Sequence, residues 1–319
     1  MNYFIKMLIP FMDMVLVGPL ALASAPFYLF ARIGPRKLPK SRELLKSVGI
    51  FPIRDHYYQP LFQYAKLRHS PEDVRRLPGI NMNIEGQLRF LSSLDYRQEL
   101  ISMQLFEPKE RLLAFHFQNG SFESGDAEFL YQVIRHFKPR QIIEIGCGHS
   151  TKIACEALRK NNEEASIRTT YTCIEPYEAP WLEKLPVRVL RSPVEDCEMK
   201  MFEDLEEGDI VFIDSSHMIR PQGDVLFECL EILPTLKSGV IVHFHDIFTP
   251  RDYPEEWLRE DVYLWNEQYI VEALLSNSDR YEVLASLNYL KHSHYDLLSK
   301  VCPYLEPNRE PGSFYIRVK

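Results

Sequence analysis

One short stretch, residues 141–151, constrains the fold of this chain more than any other. Its apolar, β-branched run is typical of a strand buried on both faces of a parallel sheet. Gly146 and Gly148 then permit a tight turn and a close approach of the backbone to a ligand. Ser150 and Thr151 follow, and both are suited to capping a helix. A strand, a glycine turn and a helix N-terminus in this order predict a cradle for a nucleotide.

The glycine pattern departs from the dinucleotide-binding fingerprint, because Thr151 stands where G-x-G-x-x-G has its third glycine. A second predicted strand, 171–174, ends at Glu175. An acid at that position can accept hydrogen bonds from both hydroxyls of a ribose. Taken alone, Glu175 is better interpreted as a solvated carboxylate at a strand end. Its register with Glu144 and the two glycines favours the ribose ligand.

The spacing of one acid and two glycines, Glu-x-Gly-x-Gly, resembles motif I of the class I S-adenosylmethionine-dependent methyltransferases. The resemblance covers about residues 117–319 and points to methyltransferase family 24, whose members include sugar and antibiotic O-methyltransferases. It rests on the ordered set Glu144, Gly146, Gly148, Glu175, Asp214, His245 and Asp246. It implies S-adenosylmethionine as the cofactor and a Rossmann-like fold.

The resemblance also assigns cofactor contacts by position. Around the glycine turn these are Glu144, Gly146, Gly148, Ser150, Thr151 and Glu175. In methyltransferases of this type the segment before the preceding helix often closes over the cofactor, which adds Asn119 and Asp126, although Asp126 also suits a helix start. Asp196 follows the third strand, where the family usually meets the adenine ring, and its acidic surroundings equally suit a solvated face.

Strand and helix patterns alternate after the glycine turn. Further strands are predicted at 187–190, 208–213 and 240–244. Two more, 281–287 and 313–318, fit the antiparallel ending of class I methyltransferases. Alternation of this kind predicts an α/β fold with a doubly wound, seven-stranded, mostly parallel sheet, preceded by an N-terminal hydrophobic helix and a helical cap. The site is expected along the edge where the strands end.

Polar side chains follow the predicted fourth and fifth strands, at the point where each strand ends: Asp214, His217, His245 and Asp246. Ends of adjacent parallel strands lie ~5 Å apart, so these side chains are expected to converge. Two carboxylates and an imidazole suit Mg²⁺ or Mn²⁺, and two histidines also admit iron or zinc. Either histidine is also suited to act as a general base, which makes Asp214, His217 and His245 the catalytic candidates.

The placement of these groups resembles the metal-dependent O-methyltransferases, in which acids after the fourth and fifth strands hold a divalent ion. The resemblance implies Asp214, His245 and Asp246 as ligands, with Mg²⁺ or another divalent metal lowering the pKa of a substrate hydroxyl. The sequence departs from the catechol-type pattern, since His245-Asp246 stands where Asp-Asn is usual and no lysine closely follows Asp214. Metal dependence is therefore left open. A polar cluster at 266–268 suits either helix capping or contact with the site loop.

The N-terminus is much more apolar than the rest of the chain. Residues 8–31 carry a single charge, Asp13, and are long enough at ~1.5 Å per residue to cross a ~30 Å hydrocarbon core. Three prolines leave a kinked span, a re-entrant hairpin turning at Gly18 and an in-plane anchor as alternatives. A signal peptide and a buried hydrophobic helix compete with all three. A basic flank favours anionic headgroups and retention of the downstream domain in the cytoplasm: Arg32, Arg36, Lys37, Lys40, Arg42 and Lys46.

We expect three segments along the chain. Residues 1–40 form a membrane-associating segment, 41–118 a helical cap on the substrate side, and 119–319 the methyltransferase domain. Ser41 is expected to cap a short helix. The aromatic and proline-rich stretch 51–62 suits either the mouth of a substrate pocket or a clasp between the N-terminal segment and the core.

Composition limits the function classes. A net charge of −8, without a basic face of sufficient size, argues against nucleic-acid binding. Six cysteines without a C-x-x-C pair indicate reduced thiols in a cytosolic compartment. We therefore expect a membrane-associated S-adenosylmethionine-dependent O-methyltransferase, with its catalytic domain in the cytoplasm, acting on a hydroxyl of a small-molecule, glycan or lipid-linked acceptor. The alternatives are a metal-dependent oxygenase or hydrolase on the same fold and a non-catalytic membrane-bound scaffold.

Overall fold

The computed structural model describes residues 3–103, 105–106 and 113–319, with side chains from Leu8 onward. Parts of the predicted segments 1–40 and 41–118 therefore lie outside the described residues. The chain divides into two compact units, Met1–Arg68 and His69–Lys319. The division into three segments stays a prediction.

The first unit contains two helices, α1 over Tyr3–Ile33 and α2 over Pro39–Ser47, followed by a 3-10 turn at Tyr64–Lys66. α1 is continuous through Gly18, where the re-entrant hairpin requires a turn. α2 begins at Pro39, a residue suited to the first helical position because the N–H it lacks has no partner there. No side chain caps α2, so the expectation that Ser41 caps this helix is wrong.

Most of α1 is apolar and exposed. The stretch Leu8–Ile33 is long and apolar enough to cross a membrane by length and composition, with a mean hydropathy of 1.8. Only 6% of its most apolar window is buried. Phe11, Met14 and Leu22 are each more than half exposed.

The second unit is built on a single sheet. Its strands are β1 Gln141–Ile145, β2 Thr170–Ile174, β3 Arg188–Leu190, β4 Ile210–Ile213, β5 Ile241–Phe244, β6 Tyr281–Ser286 and β7 Phe314–Val318. They lie in the order β3-β2-β1-β4-β5-β7-β6. β1 to β5 pair in parallel, and β7 runs antiparallel to β5 and β6. The predicted doubly wound, seven-stranded, mostly parallel sheet is confirmed.

Helices surround this sheet: α3 Ile84–Ser93, α4 Arg97–Ser102, α5 Asp126–Phe137, α6 His149–Ala165, α7 Lys200–Glu203, α8 Asp224–Phe227, α9 Leu233–Thr235, α10 Glu255–Arg259, α11 Glu267–Leu275, α12 Leu287–Ser293 and α13 Tyr295–Val301. Short 3-10 turns lie at Leu182–Lys184 and Val194–Asp196. A π-helical segment, Glu228–Ile232, separates α8 from α9. α3, in the predicted cap region, packs against β6 and α13.

Side chains of β1 alternate between two hydrophobic cores, one on each face of the sheet. Ile142 packs into the core that contains Phe129 of α5. Ile143 and Ile145 pack into the opposite core. By the same alternation Glu144 points to the face of Ile142, where it is fully buried. The strand order reverses between β1 and β4, which places a crevice at the carboxyl ends of these two strands.

Candidate functional site

A cavity of about 520 Å³ opens at this crevice. It lies among the turn after β1, the end of β2, the loop after β3 and the end of β4, and it is lined in part by Gly146, Gly148, Ser150, Glu175, Val194 and Asp214. Its volume is within the range of about 300–1,000 Å³ that small-molecule sites occupy. The position agrees with the general rule that ligands of doubly wound sheets bind where the strand order reverses.

The two glycines of the turn meet different requirements. Gly146 has a φ of 76°, and a Cβ on it would lie 1.8 Å from the carbonyl oxygen of Asp214. A side chain at Gly146 would therefore separate the turn from the end of β4. Gly148 has an extended φ of −165°, and a Cβ there would meet no atom within 4 Å. Since Gly148 lines the cavity, the missing side chain leaves room for a ligand.

Glu175 is held at the cavity wall by three backbone N–H groups. Cys147 N–H donates to its Oε2 at 3.1 Å. Tyr177 and Glu178 donate to its Oε1 at 2.9 and 2.8 Å. The carboxylate is thus fixed relative to the glycine turn, and its remaining acceptor positions suit a diol such as the ribose hydroxyls.

Glu144 is an internal anchor beneath the turn. It is fully buried and accepts hydrogen bonds from Ser150 Oγ at 2.5 Å, Thr151 Oγ1 at 2.7 Å and Tyr171 OH at 2.5 Å. Burial raises its pKa to about 7, although these hydroxyl contacts lower it. Neither Glu144 nor Thr151 lines the cavity, and Ser150 reaches it with its hydroxyl committed to Glu144. These side chains brace the turn from beneath, and their contact with a cofactor stays a prediction. Gly148, not Ser150 or Thr151, occupies the N-cap of α6.

Three other expected cofactor contacts lie outside the cavity lining. Asn119 holds its own loop, because its Oδ1 accepts from the N–H groups of Ser121 and Phe122, which themselves line the cavity. Asp126 is buried and accepts from Ser313 N–H at 2.8 Å. Asp196 is exposed, and its neighbours 193–195 line the cavity instead. Nothing in these positions adds support for direct cofactor contacts.

Asp214, His217, His245 and Asp246 converge as predicted from the strand ends. His217 Nε2 lies 3.5 Å from Asp214 Oδ1 and 3.6 Å from Asp246 Oδ2. His245 Nδ1 lies 3.3 Å from Asp214 Oδ1 and 3.5 Å from Asp246 Oδ1. Both imidazoles therefore direct one nitrogen to the same two carboxylates. Ligand atoms of Asp214, His217 and Asp246 lie within 4.8 Å of one another, a spacing that suits a metal ion. Of the three ligands expected from sequence this group contains Asp214 and Asp246, and His245 lies beside both aspartates without belonging to it.

The outward nitrogens of both imidazoles face further carboxylates. His217 Nδ1 lies 2.7 Å from Oε2 of Glu267, the first residue of α11. His245 Nε2 lies 3.9 Å from Oδ2 of Asp126. The Trp265 ring also packs against His217, with 4.3 Å between centroids. The hydrogen-bonded Glu267 fixes the ring orientation and the tautomer of His217, as carboxylates do behind metal-binding histidines.

These acids control the protonation of the imidazoles. Burial by itself lowers the pKa of His217, but the hydrogen bond and charge of Glu267, with the charges of Asp214 and Asp246, raise it to about 9. For His245 burial is likewise outweighed by the two aspartates, and its pKa lies well above the usual range. Each imidazole is therefore cationic near neutral pH when only these acids surround it. Binding a metal requires the release of these protons.

The backbone is left-handed at two members of the cluster. His217 has a φ of 57° and Asp246 a φ of 59°. Non-glycine residues rarely adopt this conformation, and such strain concentrates at functional sites. Sequence reasoning placed Glu267 in a polar cluster with two open roles, and the structure shows contact with the site loop: Glu267 reaches His217, and Asn266 Oδ1 accepts from Ile219 N–H at 2.6 Å.

His243 lies apart from the cluster. It is fully buried, with its ring stacked between Phe212 and Tyr315 at centroid distances of 4.0 and 4.1 Å. Its Nε2 lies 2.9 Å from Ser313 Oγ. Alternation along β5 separates it from Phe244, in agreement with a structural role.

Comparison with known proteins relates residues 143–247 to a family model described as a methyltransferase domain, methyltransferase family 24. An uncharacterized protein of Archaeoglobus fulgidus is 30% identical over 177 residues, which cover 51% of this chain and 77% of that protein.

Several solved methyltransferase structures are similar at low identity. The S-adenosylhomocysteine-bound methyltransferase PaMTH1 of Podospora anserina is 16% identical with a TM-score of 0.38, over 72% of this chain and 88% of that chain. A putative O-methyltransferase of Klebsiella pneumoniae is 13% identical with a TM-score of 0.40, over 73% and 99%. The apo structure of CalS11, a TDP-rhamnose 3′-O-methyltransferase, is 13% identical with a TM-score of 0.41, over 81% and 99%.

Proposed function

Since this chain belongs to the class I S-adenosylmethionine-dependent methyltransferases, resembling family 24, we propose that it methylates a hydroxyl group of a small-molecule, sugar or lipid-linked acceptor. One observation carries the proposal: Asp214 lines the cavity and also belongs to the cluster of two histidines and two aspartates. A cofactor in the cavity and an acceptor held at the cluster would therefore meet at Asp214.

Separate parts of the cavity suit the ribose, adenine and methionine portions of the cofactor. Glu175, fixed by three backbone N–H groups, is placed to accept the ribose hydroxyls. Val194 and Glu195 line the end of the cavity after β3, where an adenine ring would lie. Gly146 and Gly148 line the opposite end of the cavity, beside Asp214. The methionine portion of the cofactor would then lie over the glycine turn, with its methyl group directed towards the cluster.

The cluster is suited to hold an acceptor oxygen and a divalent ion. Asp214, His217 and Asp246 would hold the ion, with His245, whose Nδ1 lies 3.3 Å from Asp214 Oδ1, as a fourth candidate ligand. When bound, the ion would lower the pKa of the acceptor hydroxyl. In methyl transfer the acceptor oxygen bonds to the methyl carbon as the carbon–sulfur bond breaks, which leaves neutral S-adenosylhomocysteine, and the hydroxyl proton is released to water. The chain's own contribution is to align these atoms and exclude water.

A general-base role for His217 or His245 is less well supported than a ligand role. A base must be neutral before it accepts a proton, whereas the surrounding acids raise the pKa of His217 to about 9 and that of His245 well above its usual range. We therefore favour both imidazoles as ligands and positioning groups.

One specific observation keeps a second enzyme class in view. Two imidazoles and two carboxylates also form a ligand set for iron or zinc in oxygenases and hydrolases. Metal analysis with anaerobic spectra of the iron-loaded protein separates this class from a methyltransferase. A non-catalytic scaffold instead predicts that Asp246→Ala leaves the cellular phenotype intact.

We also propose that the protein is membrane-associated with its catalytic unit in the cytoplasm. The support is the exposed apolar stretch Leu8–Ile33 and the basic residues that follow it. A protease-protection assay on sealed vesicles tests this orientation. In right-side-out vesicles, digestion of the His69–Lys319 unit by protease added outside would contradict the proposal. The cofactor is made and kept inside cells, so a catalytic unit on the outer side could not reach it.

The decisive test of the methyltransferase proposal is calorimetry. The full chain in detergent micelles is titrated with S-adenosylmethionine and S-adenosylhomocysteine, with and without Mg²⁺. We expect micromolar binding that Glu175→Ala abolishes, because the ribose contact is lost. Glu203→Ala is a control, since Glu203 is an exposed acid of α7 outside the cavity lining. Absence of binding by the wild-type chain would overturn the proposal.

A further inference from the structure

We propose that the Asp214–His217–His245–Asp246 cluster selects a first-row transition-metal dication, of the Fe²⁺, Co²⁺ or Zn²⁺ type, over Mg²⁺. The inference deepens the proposed function and rests on its metal centre. It concerns the two imidazoles, which distinguish this set from an all-oxygen site.

The geometry supports both imidazoles as ligands of one ion. Their inward nitrogens, His217 Nε2 and His245 Nδ1, lie 3.3–3.6 Å from oxygens of the same two aspartates. Two ligands bound at ~2.1 Å to a single ion are separated by roughly 3.0–3.4 Å for octahedral or tetrahedral angles. The four nitrogen–oxygen separations are therefore close to those of ligands on a shared ion, with Asp214, His217 and Asp246 as the mutually close group and His245 beside both aspartates.

The groups behind the imidazoles support the same assignment. Glu267 Oε2 lies 2.7 Å from the outward nitrogen of His217, and Asp126 Oδ2 lies 3.9 Å from that of His245. The Glu267 hydrogen bond fixes the tautomer of His217 that leaves its inward nitrogen free to bind a metal. Asp126 on α5 is too far from His245 for a hydrogen bond and contributes its negative charge on that side of the cluster.

The chemistry of the donors decides between metal classes. Mg²⁺ is a hard ion that prefers an octahedron of oxygens and keeps several waters. Imidazole nitrogen suits zinc, iron, nickel and copper, and affinity at mixed sites rises from Mn²⁺ through Co²⁺ along the first row. With Asp214 and Asp246 as the carboxylates of the cluster, His217 and His245 supply half of its side chains. These nitrogens add affinity for a transition metal and little for Mg²⁺.

A second metal-like group, Glu144, Cys147 and Cys173, does not compete for this assignment. The Glu144 carboxylate already accepts three hydroxyl hydrogen bonds. Cys147 Sγ faces the carbonyl oxygens of Glu144 and Ile174 at 3.4 and 3.7 Å, which marks a packed thiol.

The inference is tested with the full chain in detergent micelles, stripped of metal by a chelator. Co²⁺ is titrated while its visible absorption is recorded, and Mg²⁺ is then added in competition. We expect Co²⁺ to bind and to give d–d bands that indicate nitrogen ligation. We also expect Co²⁺ to stay bound in the presence of about a thousandfold excess of Mg²⁺. Displacement of Co²⁺ by an equal concentration of Mg²⁺ would overturn the inference.

Variants assign the selectivity to the imidazoles. His217→Gln and His245→Gln are each expected to weaken Co²⁺ binding by about tenfold or more and to change Mg²⁺ binding little. His69→Gln, at an exposed position, is the matched control and should bind as the wild type does. Unchanged Co²⁺ affinity in both cluster variants, combined with loss in Asp214→Asn, would show an ion held by carboxylates alone and would refute the proposal.

Two further measurements distinguish a failure of this inference from misfolding of a variant and from a failure of the proposed function. Thermal unfolding shows whether each variant is folded, and Glu267→Gln, which leaves the ligands in place, is expected to weaken Co²⁺ binding by about 10–100-fold. S-adenosylhomocysteine binding is measured on the same preparations. Cofactor binding without selectivity for Co²⁺ contradicts only this inference, whereas failure to bind the cofactor contradicts the proposed function.

Discussion

Glu267 and His217 are 50 residues apart in the chain, yet Glu267 Oε2 lies 2.7 Å from His217 Nδ1. Both side chains are buried, and the contact joins the first turn of α11 to the loop after β4. The other oxygen of Glu267, Oε1, has no hydrogen-bond partner among the described residues. The carboxylate therefore acts mainly on His217, whose opposite nitrogen faces Asp214 and Asp246.

This pairing predicts a shift in the titration of His217. Glu267→Gln removes the charge that contributes most to raising its pKa to about 9, so the midpoint in metal-free protein should move towards the ordinary value of 6.5. NMR titration of the imidazole measures the change. Glu260→Gln, an exposed acid on the surface, is the control and should leave the midpoint where it is. An unshifted midpoint in Glu267→Gln would mean that the aspartates alone hold the proton.

The two glycines of the turn predict opposite effects of the same substitution. Gly146→Ala forces a side chain into a left-handed conformation and against the Asp214 carbonyl, so we expect a stability loss of about 1–3 kcal/mol or more and loss of both cofactor and metal binding. Gly148→Ala meets no protein atom and should retain the melting temperature while cofactor affinity falls. Denaturation and calorimetry on both variants check this. Equal destabilisation of the two would contradict the steric account.

Burial of Glu144 predicts a dependence of stability on pH. Its pKa is raised from 4.5 to about 7, so the folded state binds the proton more tightly than the unfolded state. The associated stabilisation is present below pH 4.5 and is lost as the pH rises through about 7, and its full extent is about 3 kcal/mol at 1.36 kcal/mol per pKa unit.

Glu144→Gln isolates this contribution, because the amide stays neutral at every pH. We expect the variant to match the wild type near pH 4 and to exceed its free energy of unfolding near pH 8. Urea denaturation at pH 4 and pH 8 measures the difference in free energy of unfolding between the variant and the wild type. Contributions from other acids are the same in both proteins and cancel in this difference. Equal slopes of stability against pH in the two proteins would show that the three hydroxyl donors keep Glu144 ionised.

A buried arginine predicts a large loss of stability. Arg135 is 1% exposed in its side chain and pairs with Glu99 at 2.9 Å and Glu164 at 2.5 Å. Arg135→Ala leaves Glu99, whose side chain is 25% exposed, and the buried Asn161 oxygen without this partner, so we expect a cost of about 1–3 kcal/mol or more in urea denaturation. Arg159→Ala, on the exposed face of α6, is the control and should cost about 1 kcal/mol or less. A similar cost for both would refute the dependence on burial.

The sheet was predictable because its signals are local. Short β-branched runs such as Ile142 to Ile145 are read directly from neighbouring residues, and Glu175 is recognised by its place after one of them. The convergence of Asp214 with Asp246 follows from the parallel pairing of β4 and β5. These features depend on the spacing of apolar residues along the sequence and on the geometry of paired strands.

The remaining features depend on distant contacts. The position of Glu144 in the sequence predicts a cofactor ligand. Its hydrogen-bond partners Thr151 and Tyr171 can be identified only in the folded protein, where α6 and β2 pack around it. The selection of Glu267 as the partner of His217 likewise requires the folded loop. Helices α12 and α13 lie between the last two strands without a periodic pattern strong enough to separate them from a loop.

The placement of β7 has a consequence for synthesis of the protein. β7 follows β6 in the chain but lies between β5 and β6 in the sheet. Until the ribosome has passed this segment, β5 has an open hydrogen-bonding edge, a form prone to pairing with other chains. The same segment brings Ser313 N–H to Asp126, behind His245. Closure of this sheet edge and the fixing of Asp126 by Ser313 therefore both wait for synthesis of the same segment.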